Sequence, residues 1–228
     1  MSEIGHKTLE TMSSAKWYNR WLFSLMKKHI GKEILEVGVG IGNFTGFLSQ
    51  VGKVTAIDID QKYIKKLQKR LGSSNVGKGD IENNTYFFKG KKFDCVVCLN
   101  VLEHIKADKK ALRNIYSLLN DGGKLILLVP AHKLLYSKFD KKLGHFRRYT
   151  KIEIDMKLKE AGFKNIHIRY LNWWAAAGWL FFMKLLKSKE MPKSPVAIFD
   201  SFGKLLLLPE KKLPPPFGLS VYAIAQKK

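Results

Sequence analysis

Short apolar runs alternate with amphipathic stretches between residues 33 and 129. The runs are EILEV, KVTAID, NVGKG, FDCVVCL and GKLILLVP. The segments between them, NFTGFLSQ, QKYIKKLQKRL and roughly residues 108–119, carry the spacing that predicts helices. Strands this apolar are buried on both faces, which requires helices on both sides of a parallel sheet. The pattern therefore predicts a doubly wound α/β fold.

The segments that flank this core predict cap elements and not a second domain. Residues 7–30 have the spacing of a helix with one apolar side. After the core, a connector over 131–149 leads into a helix that Gly162 ends, followed by the strand FKNIHIRYL and a last strand within LPPPFGLSVYAIAQ. We therefore expect one domain over 1–228, made of an N-terminal helical cap (1–30), a core (31–130) and a final part with an apolar cap (131–228).

The charge of the chain is unusual, whereas its hydrophobic content is ordinary for a globular protein. Forty-one Lys and Arg residues stand against 19 Asp and Glu residues, for a formal net charge of +22. Such an excess favours polyanionic partners such as nucleic acid, an anionic membrane face or phosphorylated substrates. The lysines are scattered, however, so solvated lysine-rich faces explain the charge equally well.

The only two cysteines, Cys95 and Cys98, lie inside the apolar run FDCVVCL. A zinc site would need two further ligands at matching spacing, and none follows, so we predict no metal site. Residues three apart in a strand point to opposite faces, which predicts two small core residues. Without a disulfide framework, and with a start too polar for a signal peptide, the chain is expected to be cytoplasmic.

A glycine-rich turn follows the first strand in ILEVGVGIGNFT. Glycines there allow a tight turn and let backbone N–H groups approach a ligand at a helix N-terminus. A dinucleotide fingerprint would need its third glycine where the chain has Asn43. Glu36, just before the glycines, would repel a pyrophosphate but suits a ligand with an ammonium or sulfonium charge. Asp58, which ends the second strand, can bind both hydroxyls of a ribose.

The segments LEVGVGIG, AIDID, GDI, FDCVVCLNVLEHI and LLNDGGKLILLVP, in this order and approximate spacing, resemble the class I S-adenosylmethionine-dependent methyltransferases. The resemblance covers residues 33–129 closely. It implies a Rossmann-like, seven-stranded sheet whose last strand is antiparallel, with S-adenosylmethionine as cofactor and S-adenosylhomocysteine as product. The cofactor-binding residues that it implies are Tyr18, Glu36, Gly38, Gly40, Gly42, Asn43, Phe44, Asp58, Ile59, Asp80, Ile81, Asn100 and Val101.

The methyl group of a sulfonium is already electrophilic, so such an enzyme mainly aligns the acceptor. A base is needed only for a hydroxyl, an ammonium or an acidic carbon. His104 lies where the family often closes the site around the methyl, or else it simply opens the next helix. The connector offers further catalytic candidates, which are His145, Arg147, Arg148 and Tyr149.

An apolar stretch supports a prediction for the acceptor. No residue from Leu171 to Met183 is charged, and Lys184, Lys187 and Lys189 follow. The stretch is too short to span a bilayer, so it is either a buried cap helix or a segment lying on an anionic membrane surface. The tail also resembles a bacterial methyltransferase subgroup linked with cell-envelope glycan and lipid genes.

We therefore expect a small-molecule or lipid-like acceptor, with contact at the inner membrane face as one option. The alternatives are an RNA methyltransferase and a nucleotide-binding module without catalysis. RNA rests on charge alone, since the residues NVLE stand where N-P-P-Y would indicate methylation of a base amino group.

The stretch GHFRRYT, residues 144–150, divides into two parts. Thr150 and Glu153 have the spacing of a capping box for the helix that follows. The front half lies in the connector after the fifth strand, at the edge where open α/β folds bind ligands. Arg147 and Arg148 there are expected either to bind a phosphate or carboxylate of the acceptor or to pair with an acidic side chain.

Overall fold

The computed structural model describes residues 3–173, 175–176, 207, 210, 213 and 215–228. In that part of the chain the strands are β1 (Glu33–Val37), β2 (Lys53–Asp58), β3 (Val76–Asp80), β4 (Thr85–Tyr86), β5 (Phe93–Leu99), β6 (Leu119–Pro130), β7 (Lys164–Leu171) and β8 (Ser220–Gln226). They form one sheet in the order β4-β3-β2-β1-β5-β6-β8-β7.

The centre of the sheet is parallel and its last strand is antiparallel. β1 pairs in parallel with β2 and β5, and the parallel pairing continues outward to β3 and β6. β8 inserts between β6 and β7 and is antiparallel to both. The predicted doubly wound fold with an antiparallel last strand is confirmed.

The described part of the chain has eight strands where seven were expected, because β4 is added at one edge. Asn84, at φ 56°, turns the chain so that Thr85 and Tyr86 pair with Asp80 and Gly79. The ring of Phe87 fills the space beside Gly77, where a Cβ would lie 2.2 Å from the Phe87 Cγ. A two-residue strand carries no alternating pattern, so the sequence could not reveal it.

Helices cover both faces of the sheet. Those described are α1 (Glu3–Ser14), α2 (Lys16–Met26), α3 (Thr45–Leu48), α4 (Gln61–Leu71), α5 (Asp108–Leu118), α6 (Lys138–Leu143) and α7 (Lys151–Glu160). The single helix predicted over 7–30 is instead two helices, because Ala15 (φ −76°, ψ 66°) leaves the helical region. A short 3₁₀ turn, Lys27–His29, then leads to β1.

Two apolar cores hold these layers together. On one face, Leu112 and Ile115 of α5 pack with Leu158 of α7 against the sheet. On the other face, Leu22 of α2 packs with Leu67 of α4. Burying one such side chain stabilises the fold by about 1.5–3 kcal/mol, so each core contributes to holding its helices on the sheet.

The two cysteines are part of these cores. Cys95 belongs to the core under α2 and α4, and Cys98 to the core under α5 and α7. Both are free thiols, and burial raises the pKa of Cys95 to about 12. The prediction of two core residues on opposite faces is therefore confirmed.

Most of the predicted apolar cap lies outside the described residues. This holds for the part of the stretch Leu171–Met183 that follows Ala176 and for Lys184, Lys187 and Lys189 after it. At the boundary, Trp173 and Phe217 are exposed, with 42% and 45% of their surface accessible.

Candidate active site

A cavity of about 880 Å³ lies at the carboxyl ends of the central parallel strands. Because β3, β2, β1 and β5 are neighbours, residues that follow these strands meet there although they are distant in sequence. Every predicted cofactor-binding residue except Gly42 lines the cavity. The lining therefore includes Tyr18, Glu36, Gly38, Gly40, Asn43, Phe44, Asp58, Ile59, Asp80, Ile81, Asn100 and Val101.

The turn after β1 has a backbone that only glycine adopts easily. Gly38, Gly40 and Gly42 have φ values of 70°, 52° and 82°. A Cβ on Gly38 would lie 2.4 Å from Cγ2 of Val101, so the turn and the segment after β5 touch directly. A Cβ on Gly42 would instead lie 2.7 Å from the Leu67 side chain. Gly42 is thus required for packing against α4 and not for lining the cavity.

Asp58 holds this turn from the end of β2. Its Oδ2 accepts the N–H of Gly40 at 2.8 Å, and its Oδ1 accepts the N–H of Asp60 at 2.8 Å. Burial raises the pKa of Asp58 despite these bonds. Since a carboxylate has about four acceptor positions, Asp58 retains capacity to accept from a hydroxyl group of a ligand.

Glu36 is a buried carboxylate with an unmatched oxygen. The residue is 6% exposed, lines the cavity, and its Oε2 has no hydrogen-bond partner among the described residues. Burial raises the pKa of Glu36 to about 7. A cationic ligand beside it would stabilise the charged form and provide the missing partner.

The end of β3 contributes a turn and an apolar wall. Asp80 accepts the backbone N–H groups of Glu82 and Asn83 through Oδ1, at 2.9 and 3.1 Å. Ile81 is buried, whereas Ile59, which follows β2, is 69% exposed and also lines the cavity. Ile59 and Ile81 therefore offer apolar surface to a flat aromatic ligand.

Asn100, which follows β5, has a strained backbone. Its φ is 53°, in the left-handed region, and its N–H donates to the Leu128 carbonyl at 2.8 Å. Such strain is concentrated at functional sites. The bond to β6 fixes the direction in which the chain leaves β5 and so places Val101 over Gly38.

The N-terminal helices form one wall of the cavity. Asn43 donates through Nδ2 to the Leu9 carbonyl of α1 at 3.3 Å. Tyr18 of α2 accepts a hydrogen bond from Asn172 Nδ2 at 2.9 Å. Burial raises the pKa of Tyr18 to about 12, so the phenol is neutral at pH 7. These contacts attach the helical cap to both the glycine turn and the end of β7.

At the other end of the cavity, the connector places two predicted catalytic residues beside His104. His104 and His145 stack edge to face with ring centroids 4.6 Å apart. His145 Nδ1 lies 3.0 Å from Asp140 Oδ1, and Arg148 Nε donates to the same oxygen at 2.8 Å. His104, His145 and Arg148 all line the cavity. Burial and the nearby His145 lower the pKa of His104 to about 4, so its ring is neutral at pH 7.

The other two connector candidates do not line the cavity. Arg147 donates to Asp108 Oδ2 at 2.9 Å and to the Lys106 carbonyl at 3.0 Å. The Tyr149 hydroxyl donates to the same Asp108 oxygen at 3.0 Å. Both residues thus attach the connector to the start of α5. The predicted capping box of Thr150 and Glu153 is confirmed at the start of α7.

Glu103 lines the cavity but was not predicted as a site residue. It is fully buried, and neither carboxylate oxygen has a hydrogen-bond partner in the described part of the chain. Burial raises its pKa to about 7. The sequence does contain a signal, because Glu103 is a charged residue among apolar neighbours in NVLEHI. Charged residues are rarely fully buried without a partner, so such a position indicates a site.

Residues 35–127 match the family model described as a methyltransferase domain. A tRNA U34 carboxymethyltransferase from Campylobacter hominis is 30% identical over 128 residues, which are 52% of this chain and 44% of that protein. The chain thus spans less than half of that relative's length.

Two solved structures share the fold. A possible histamine N-methyltransferase from Thermotoga maritima aligns over 100% of both chains with a TM-score of 0.64 and 18% identity. Phosphoethanolamine N-methyltransferase 2 from Haemonchus contortus, in complex with S-adenosyl-L-methionine, aligns over 92% of this chain and 52% of its own, with a TM-score of 0.62 and 20% identity. Among the described residues, no helix is both long and apolar enough to cross a membrane.

Proposed function

We propose that this chain is a class I S-adenosylmethionine-dependent methyltransferase and that it transfers a methyl group from S-adenosylmethionine to a small or lipid-like acceptor. Residues 35–127, which match the methyltransferase domain model, support this proposal. The observation that supports this most strongly is the arrangement of Glu36, Asp58 and Asp80 at successive strand ends around one cavity.

The residues present fit this cofactor. Glu36 has an unmatched buried oxygen that a cationic amino or sulfonium group would complete. The turn at Gly38 and Gly40 leaves no room for side chains, so a ligand can approach the backbone. We propose that Asp58 holds the ribose hydroxyls and that Asp80 and Ile81 contact the adenine. Glu36 and Asn100 would lie at the methionine end.

The cofactor, when bound, supplies a methyl group that is already electrophilic. The chain then has to orient the acceptor and exclude water, and orientation alone can supply about 7–11 kcal/mol of the barrier reduction. We propose that His104, His145 and Arg148 form the acceptor end of the cavity. A pKa near 4 makes His104 a weak base. We therefore assign His104 to the wall of the acceptor end and not to proton abstraction.

The walls of the cavity support an acceptor with an apolar body. Apolar side chains line it from the N-terminal helices (Met12, Leu22), from the connector (Phe139, Leu143) and from the residue before β8 (Leu219). The polar group of such an acceptor would meet Arg148 or His145. Trp173 lies within the apolar stretch, and Leu213 and Phe217 follow it in sequence. All three are exposed, which supports access from a lipid surface.

RNA is the second candidate acceptor. The net charge of +22 favours it, and the relative from Campylobacter hominis is a tRNA U34 carboxymethyltransferase by name. A base would have to leave its stack to reach a site at the ends of the strands.

Two experiments test the proposal. Mass spectrometry of the purified protein and calorimetry should detect bound S-adenosylmethionine or S-adenosylhomocysteine. Transfer of radiolabelled methyl into a cell extract, fractionated into lipid, RNA, protein and small molecules, should then label the lipid or small-molecule fraction. Label in RNA that depends steeply on salt would favour the second candidate. Cofactor binding without label in any fraction would contradict methyl transfer.

A further inference from the structure

Glu103, His104 and His145 form a cluster of possible metal ligands at the acceptor end of the cavity. One ligand atom of each residue lies within 4.8 Å of the others. In a tetrahedral site with bonds of about 2.0–2.1 Å, ligand atoms lie about 3.3 Å apart. The three side chains therefore need to move inward by about 1.5 Å or less, which small rotations about their side-chain bonds can supply.

The carboxylate of Glu103 points to a missing partner. The residue is 0% exposed, and within the described residues neither of its oxygens accepts a hydrogen bond. A buried carboxylate in that condition is strongly destabilising unless a cation or donor completes it. The neighbouring Asp140 is already paired, because its Oδ1 accepts from Arg148 Nε at 2.8 Å. Of these two buried carboxylates, Glu103 is the one without a hydrogen-bonded counter-charge.

His145 is oriented as a metal ligand would be. Its Nδ1 lies 3.0 Å from Asp140 Oδ1, and a carboxylate can only accept, so Nδ1 carries the proton. In the neutral ring with the proton on Nδ1, the other nitrogen, Nε2, has a free lone pair for a metal ion. Metal-binding histidines usually donate their second nitrogen to a carboxylate in this way, which fixes the ring and strengthens the ligand.

We propose that Glu103, His104 and His145 bind a divalent transition-metal ion of the Zn²⁺ type. Two imidazoles and one carboxylate suit Zn²⁺ and its neighbours, and three protein ligands leave at least one coordination position open. Because all three residues line the cavity, that position would face the acceptor and could hold one of its oxygen atoms. This last point rests on the proposed function, whereas the metal site itself does not.

The test is calorimetric titration of the untagged, metal-free protein with ZnCl₂ alone. The native chain should bind one equivalent, and Glu103→Gln and His145→Ala should each weaken that binding at least about 10-fold. His167→Ala is the matched control, because it removes an exposed histidine on β7 and should bind as the native chain does. Circular dichroism checks that each variant is folded.

A second measurement is independent of the variants. Co²⁺ added to the native chain should produce visible d–d absorption that one equivalent of Zn²⁺ abolishes. The inference is overturned if the native chain shows no saturable binding, or if both ligand variants bind Zn²⁺ as tightly as the control. S-adenosylmethionine titrations of the same samples keep the two proposals separate, since cofactor binding without zinc binding removes only the metal site.

Discussion

Replacing Asp58 with asparagine should weaken cofactor binding strongly while preserving the size of the side chain. In the native chain both carboxylate oxygens accept backbone N–H groups, from Gly40 and Asp60. An amide offers one acceptor oxygen and one donor nitrogen. One of the two N–H groups therefore faces a donor, and the negative charge that we assign to ribose binding is lost.

The magnitude follows from the bonds that change. A hydrogen bond to a charged group contributes about 1.5–3 kcal/mol, and a buried N–H without a partner costs about 1–3 kcal/mol. The second cost is present with or without ligand, so it lowers stability and not affinity. Loss of the charged bonds to the ribose should thus weaken binding by about 3 kcal/mol, or roughly 150-fold in Kd.

Asp94→Asn is a matched control for this experiment. Asp94 also accepts two backbone N–H groups, from Lys32 and Glu33 at 3.1 and 3.0 Å, but it lies where β5 begins, at the opposite edge of the sheet. Calorimetry with S-adenosylmethionine should give a Kd for this variant within about twofold of the native value, since its bonds lie far from the cavity. The assignment of Asp58 to the ribose fails if Asp58→Asn keeps native affinity, or if both variants lose affinity equally.

Three further outcomes are expected. Burial raises the pKa of Glu36 to about 7, so the folded state binds the proton more tightly than the unfolded chain. The free energy of unfolding should therefore fall by about 3 kcal/mol between pH 4.5 and 7. Urea titrations of Glu36→Gln should lack this contribution. Gly38→Ala should lower the free energy of unfolding by about 1–3 kcal/mol more than Gly90→Ala does. Both glycines have positive φ, but only a Cβ at Gly38 would meet a neighbour. Equal melting temperatures of the two variants would refute the close contact. Arg147→Ala should lower the free energy of unfolding by about 1 kcal/mol and leave methyl transfer unchanged in the radiolabel assay. Arg148→Ala should reduce methyl transfer while the Kd for the cofactor stays near the native value. Full activity of Arg148→Ala would remove Arg148 from the acceptor end.

The cofactor half of the candidate site was predictable because it depends on local sequence. Asp58 and Asp80 end their strands, and Glu36 is the last but one residue of its own. In a parallel sheet all such ends meet at one edge. A pattern of apolar runs therefore locates these carboxylates before any tertiary contact is known. Gly42 shows the limit of this reasoning. Its place in the glycine motif predicts contact with the cofactor, but it packs against Leu67.

The acceptor half was not predictable in the same way, because it depends on where the connector crosses the sheet. Glu103 lies before α5 and His145 after β6, and no periodic pattern relates the two. Their meeting depends on α6, whose end at Gly144 (φ 84°) turns the chain back toward His104. The split of the N-terminal segment at Ala15 was missed for a similar reason, since apolar spacing continues through the break.

The connector GHFRRYT divides its polar side chains between two buried aspartates, Asp140 and Asp108. His145 and Arg148 both bind Asp140 and line the cavity, whereas Arg147 and Tyr149 both bind Asp108 outside it. From Arg147 to Tyr149 neighbouring side chains point to opposite sides, as in an extended chain, so Arg147 and Tyr149 reach Asp108 whereas Arg148 reaches Asp140. The contacts of Arg147 and Tyr149 with Asp108 fix the connector against the start of α5. Loss of the contacts of Arg147 and Tyr149 should therefore lower the free energy of unfolding. Loss of the contacts of His145 and Arg148 should instead lower the rate of methyl transfer.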